Sequence, residues 1–208
     1  MSDHEREPVM PASLLLVTEV PVTPENLTEA VRTWRAHAPE AALYEGIEGA
    51  TVLELTPLDS LAELDTATAG WETLTKALSP LADGDVRRQV LRFVEAPKPV
   101  EGALPDTPYV QLRHVEVKLP VLEEYLTWRD GTIFDVVRTS PDVEGFLAYH
   151  SLLSTEPGIM FVSGFSCDPA EYGKPFQSER YAEIAKYAHS KFVTESGLYT
   201  RVYRRVPR

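Results

Sequence analysis

Two histidines lie on strand-like runs in the second half of the chain. In Val110-Gln111-Leu112-Arg113-His114-Val115-Glu116-Val117, alternation places His114 with Val110 and Leu112, and Arg113 with Val115 and Val117. His150 follows Tyr149 and shares the face of Phe146 and Ala148. A histidine on an apolar strand face is buried, against either helices or the interior of a barrel. Imidazole is the side chain best matched to acid–base work near neutral pH. Taken singly, each reads as a core histidine whose ring nitrogens find backbone partners. As two strand histidines in one unit, His114 and His150 point to a proton-transfer site and are the catalytic candidates.

The residues around them are aromatic. Of 16 Phe and Tyr, only Tyr44 and Phe93 precede residue 105. A small-molecule pocket is mostly apolar and aromatic with a few converging polar groups, which assigns the site to the second half and leaves the first as scaffold. Trp128, Tyr149, Phe161, Tyr172 and Phe176 are the substrate-binding candidates, although Trp128, like Trp34, also reads as a helix packing anchor. Tyr172, Lys174 and Pro175 fall in a predicted loop, where a lid over a barrel mouth would lie. Arg201, Arg204 and Arg205 read as an exposed charged face, and Cys167 as structural.

Several chemistries are set aside. No G-x-G-x-x-G, Walker A, H-E-x-x-H or G-x-S-x-G is present. One cysteine gives neither a disulfide framework nor a Cys-based zinc site, and no metal site is expected. Twenty basic against 32 acidic residues, a net charge of −12, disfavours nucleic acid and anionic membrane surfaces. An uncharged, hydrophobic small ligand fits better. No apolar run approaches the roughly 20 residues of a spanning helix. The polar, acidic start (Ser2, Asp3, Glu5, Glu7) does not read as a secretory signal, so a cytoplasmic location is expected.

The elements that must position these residues repeat. With 208 residues there is room for two units of about 100 each. A Pro-rich segment at residues 97–108 separates an N-terminal unit, 12–96, from a C-terminal unit, 109–208. The first unit reads as strand (14–20), helix from Thr23-Pro24 to His37, strands at 42–44 and 51–55, helix 60–78 and strand 86–94. The second reads as strand (110–118), helix 120–137, strands at 145–154 and 159–167, helix 178–193 stopped by Gly197, and strand 198–206. Glu29, Thr33, Trp34 and Arg35 recur as Glu123, Thr127, Trp128 and Arg129 at an offset of 94, which favours internal duplication. Each βαββαβ unit is the ferredoxin-like arrangement, with helices on one sheet face only. Two such sheets face to face would bury the other faces in a pseudo-dimeric α/β barrel, an α+β fold.

At Phe161-Val162-Ser163-Gly164-Phe165 and Pro175-Phe176-Gln177-Ser178-Glu179-Arg180-Tyr181 the chain resembles the dimeric α/β-barrel superfamily, in particular the antibiotic-biosynthesis monooxygenases. Its tandem size resembles the oxygenases that open a ring of angucyclinone polyketides with reduced flavin. The resemblance implies an oxygenase of secondary metabolism acting on a polycyclic aromatic polyketide. It also implies reduced flavin (FADH2 or FMNH2) as a possible cofactor and a separate flavin reductase as a partner. A polyketide cyclase or isomerase using the same histidines, a haem protein with His189 or His150 on iron, and a non-enzymatic binding module are the alternatives. The chain departs from the Asn–Trp pair of the anthrone oxygenases and haem-degrading members. Its single asparagine, Asn26, sits at a helix start and reads as solvent-exposed. Since duplication satisfies the usual dimer within one chain, a monomer or homodimer is expected.

Overall fold

The computed structural model describes residues 10–207, apart from the side chain of Ser196; Ser2 to Glu7 lie outside it. Eight antiparallel strands close into one barrel in the order β1-β3-β2-β8-β5-β7-β6-β4. The strands are β1 (Leu14–Pro21), β2 (Ala42–Gly46), β3 (Thr51–Leu58), β4 (Arg87–Lys98), β5 (Tyr109–Val117), β6 (Gly145–Leu153), β7 (Ile159–Phe165) and β8 (Val193–Arg205). Read around the barrel, β4-β1-β3-β2 and β8-β5-β7-β6 have the same order, and the β2–β8 and β4–β6 ladders join them edge to edge. Two tandem ferredoxin-like units thus form a single α/β barrel. Closure leaves no free sheet edge.

Period-2 alternation divides every strand between two layers. Leu15, Val17, Leu53, Leu55, Leu91, Val110, Leu112, Leu147, Met160 and Val162 fill the barrel interior. The opposite faces lie under the helices. The first unit covers them with α1 (Leu27–His37), α2 (Leu64–Thr68) and α3 (Trp71–Leu78). The second uses α4 (Leu122–Asp130), α5 (Ile133–Thr139), α6 (Pro169–Gly173) and α7 (Glu179–Lys191).

Several helices are shorter than their periodicity predicts. The helix expected from 60 to 78 breaks at Gly70 into α2 and α3, and that from 120 to 137 breaks at Gly131-Thr132 into α4 and α5. Pro24–Asn26 is a 3-10 turn preceding α1, and Thr23 makes no side-chain cap. Ser178 does cap α7, its hydroxyl accepting the Tyr181 N–H. Gly197 lies inside β8 rather than ending α7, because pairing of Val193 with Val117 starts the strand directly after the helix. There Gly197 passes so close to Glu116 that a Cβ would overlap it.

The Pro-rich segment is a plug. β4 takes up Pro97 and Lys98, and residues 99–108 then cross one end of the barrel, with Val100 and Leu104 packed on its interior cluster. Ala12 N–H donates to Ala103 O (3.1 Å) and Arg205 N–H to Pro108 O (2.8 Å). Gly145 and Gly164 at the strand ends leave room for Val100 and Pro105, which a Cβ at either position would overlap.

Candidate functional site

The helix-facing layer differs between the two units. In the first it is built from Val20, Val22, Ala30, Trp34, Leu43, Val52, Leu74 and Leu78. In the second it is aromatic: Tyr125, Phe134, Phe146, Phe161, Phe165, Tyr172 and Phe192 are buried in one cluster, with Trp128 and Phe176 half-buried against it. Ring pairs run through it, with Phe134 edge-on to Phe161 at 6.0 Å and Phe165 stacked on Tyr172 at 3.9 Å. Trp128, Phe161, Tyr172 and Phe176 therefore meet in this layer. Tyr172 does so from α6 rather than from a loop, fully buried, its hydroxyl donating to Ser163 Oγ (2.8 Å). Burial pushes its phenol well above the ordinary range.

Within this layer sits a charge that sequence reading missed. Arg129 on α4 is 2% exposed. Its guanidinium lies 4.8 Å from the Phe134 ring centroid and 5.8 Å from those of Tyr125 and Phe161. One terminal nitrogen donates to Glu95 on β4, whose side chain is 42% exposed. Among the described residues its Nε–H has no partner, and neither has the Tyr125 hydroxyl one helical turn away. Burial pushes the Tyr125 phenol up to about 12, against a smaller opposing pull from Arg129. Two buried donors thus lie within an aromatic layer without a hydrogen-bond partner among the described residues. An unmade hydrogen bond of this kind costs about 1–3 kcal/mol per group, so such groups call for an explanation. The signal available in the sequence was the Tyr125–Arg129 spacing of four residues, which puts a guanidinium on the aromatic face of a helix.

The two candidate histidines do not come together. His114 points into the barrel, 4% exposed, stacked on Tyr199 at 4.9 Å with Nε2 3.1 Å from Pro157 O. A carbonyl only accepts, so Nε2 carries the hydrogen and, in the neutral ring, Nδ1 the lone pair. Tyr149 also faces the interior, fully buried beside Phe93 with its hydroxyl unpartnered. His150 lies on the other sheet face, half-buried, with Nδ1 3.1 Å from Ser151 O. His189 is exposed on α7.

The barrel mouth near His114 is polar. Tyr199 donates to Glu156 (3.2 Å) and separates His114 from a cleft of about 510 Å³ lined in part by Glu19, Arg87, Gln89 and Glu156. Arg201, expected on an exposed face, instead donates to the buried Glu19 (2.8 and 3.0 Å), which also accepts the Tyr203 hydroxyl. Asn26 is half-buried rather than exposed, its amide donating to Leu81 O (3.3 Å). Among the described residues no helix is long and apolar enough to cross a membrane, and no group of three or more His, Cys, Asp or Glu is placed to hold a metal ion.

A closed eight-stranded barrel of two ferredoxin-like units with helices outside is the dimeric α/β-barrel fold, with both units on one chain. Solved structures with this architecture match nearly the whole chain. An anthrone oxidase-like protein aligns at a TM-score of 0.69 and 14% identity, over 93% of this chain and 91% of that one. A protein described as a monooxygenase from Fusobacterium nucleatum aligns at 0.66 and 9% identity, over 95% and 94%. A heme-degrading enzyme from Listeria monocytogenes aligns at 0.55 and 8% identity, over 92% and 98%. No protein-family model matches the sequence, and no curated protein does.

Proposed function

We propose that the protein is an oxygenase whose substrate is a flat phenolic compound of the polycyclic polyketide type, held in the aromatic layer of the second unit. The observation that carries this reading is Arg129, a buried guanidinium ringed by aromatic side chains, with an unpartnered N–H one turn from an unpartnered tyrosine hydroxyl. The oxygenase names of structural neighbours agree with it.

Dioxygen reacts readily only with an electron-rich partner, so such an enzyme must ionise its substrate. A phenol oxygen placed against Arg129 Nε–H and Tyr125 O–H would have its anion stabilised by a charge and a hydrogen bond in a water-poor layer. Glu95, hydrogen-bonded to the same guanidinium and open to solvent on one side, is the carboxylate placed to take the proton. The transfer leaves the number of buried charges unchanged. Trp128 and Phe176, half-buried at the margin of the layer, are the rings that must swing to admit a substrate. Reduced flavin from a separate reductase would supply activated oxygen where the substrate anion alone does not reduce dioxygen.

Oxygen uptake by the purified protein with a phenolic tetracyclic polyketide, with and without reduced flavin, tests the reading. Uptake above the free-flavin background is expected only with protein and substrate together, and is expected to vanish in Arg129→Met. Unchanged uptake in that variant would remove Arg129 from the site. No uptake under any condition would end the oxygenase reading for this substrate class. A Soret band on haem addition would move the function to a haem protein.

A further inference from the structure

We infer that Glu19, Arg201 and Tyr203 form a pairing lock inside the barrel, by which each half of the chain accepts the other half and refuses a copy of itself. The lock is independent of where a substrate binds.

The ladders of the two units correspond residue by residue. In the first, Leu15 lies opposite Leu91, Val17 opposite Gln89 and Leu55, and Glu19 opposite Arg87 and Leu53. In the second, Val110 lies opposite Tyr203, Leu112 opposite Arg201 and Val162, and His114 opposite Tyr199 and Met160. The seams between units keep the same correspondence, with Tyr44 opposite Arg205 and Tyr149 opposite Phe93. Glu19 is therefore the counterpart of His114, Gln89 of Arg201, and Leu91 of Tyr203.

Only one of these two equivalent places carries charge. Glu19 is buried, and among the described residues every hydrogen bond to its carboxylate comes from β8 of the other unit. Arg201 donates to both oxygens, at 2.8 and 3.0 Å, and Tyr203 O–H to one of them. Arg87, the cation opposite Glu19 in its own sheet, lies instead beside Glu156, at 3.6 Å. At the counterpart place His114 stacks on Tyr199 and donates to Pro157 O, and Gln89 accepts from Ser154.

The divergence makes the halves complementary in one combination. Two first units would set each Glu19 against Gln89 and Leu91, leaving two buried carboxylates without the donors that now satisfy them. Two second units would set Arg201 and the buried Tyr203 hydroxyl against His114, with no carboxylate to share. A buried ion pair adds little to stability over apolar residues of the same size, whereas one partner left alone is strongly unfavourable. The contact therefore acts mainly against wrong mates. The 97–108 segment keeps the two halves of one chain close, and the lock decides which half is accepted when chains meet.

The test is made on the full chain, by urea unfolding and by light-scattering mass after refolding over a range of concentrations. Arg201→Gln, which strands the carboxylate, is expected to lower the urea midpoint more than Glu19→Gln. The apolar variant Glu19→Leu/Arg201→Leu/Tyr203→Phe is expected to unfold near the wild-type midpoint. On refolding it is expected to give an at least about tenfold larger share of dimers and larger species. Dimers made by exchanging halves keep the contact and form equally in wild type, so species gained only by the variant report like-with-like pairing. Glu19→Arg/Arg201→Glu, which reverses the pair, is expected to restore the wild-type distribution. Should the apolar variant not fold, the near-isosteric Glu19→Gln/Arg201→Gln carries the same expectation. A folded variant without the charges that refolds to the wild-type distribution at every concentration would overturn the lock, as would equal midpoints for the two single Gln variants.

Discussion

A guanidinium with a spare donor and a tyrosine hydroxyl with no acceptor are both costs to the fold, which makes their burial informative. Tyr125 is fully buried with its hydroxyl unpartnered. Replacing it by phenylalanine removes a desolvated polar atom and keeps the ring that packs on Phe192. Tyr125→Phe is therefore expected to hold or raise stability, by up to about 1 kcal/mol, while weakening ligand binding. Thermal unfolding together with naphthol titration checks this, and a large loss of stability would show that the hydroxyl has a structural partner. The duplicated Thr-Trp-Arg triplet shows how little of this was legible. At 33–35 the tryptophan turns inward, Trp34 being fully buried with its Nε1–H donating to Glu54 (2.8 Å). At 127–129 the arginine turns inward and Trp128 is half-buried. Identical residues at identical spacing cannot report the roll of a helix, which is set by what the sheet beneath it offers.

At the scale of elements, the turn between β6 and β7 positions His114. Gly158 there has φ of 136°, a conformation that L side chains rarely adopt, and a Cβ would stand 2.6 Å from Val115 O. Ser151 Oγ accepts the Gly158 N–H (2.9 Å) and Ser154 Oγ the Glu156 N–H (2.9 Å), which holds Pro157 O against the imidazole. Gly158→Ala is expected to cost about 1–3 kcal/mol in urea unfolding; a neutral result would mean that the turn relaxes freely. Glu156-Pro157-Gly158 was recognisable as a turn because proline and glycine constrain local dihedrals in ways that need no tertiary contact. The breaks at Gly70 and Gly131 are not legible in the sequence, since a single glycine inside a periodic helix is compatible with continuation.

At the scale of the molecule, the barrel buries phenols on both sides of its sheet. Tyr44, Tyr149, Tyr199 and Tyr203 in the interior and Tyr125 and Tyr172 under the helices all have their ionisation pushed up, burial being the largest cause in each. For Tyr125 the unfolded chain releases its proton near pH 10, whereas the folded protein holds it to about 12. Between these values the native state binds more protons than the unfolded one, so stability falls as pH rises and is unaffected below the unfolded value. A stability plateau ending near pH 10 is expected, with tyrosinate absorbance rising together with loss of the far-ultraviolet circular dichroism signal. Full tyrosinate absorbance before that loss would contradict the burial.

The order of strands and helices, the duplication, the apolar alternation and the aromatic weight of the second half were all determined by the sequence itself, because they rest on local dihedral preference and on periodicity. Alternation placed His114 with Val110 and Leu112, and His150 with Phe146 and Ala148, on definite strand faces. Only the tertiary structure decided which face was which. Closure of the barrel turned the first of these faces inward and the second toward the helices, and so separated the two histidines. Closure likewise brought Glu95 of one unit against Arg129 of the other, 34 residues apart. A contact of that kind depends on how two sheets meet and how a helix rolls on one of them, and neither is fixed by the spacing of residues along the chain.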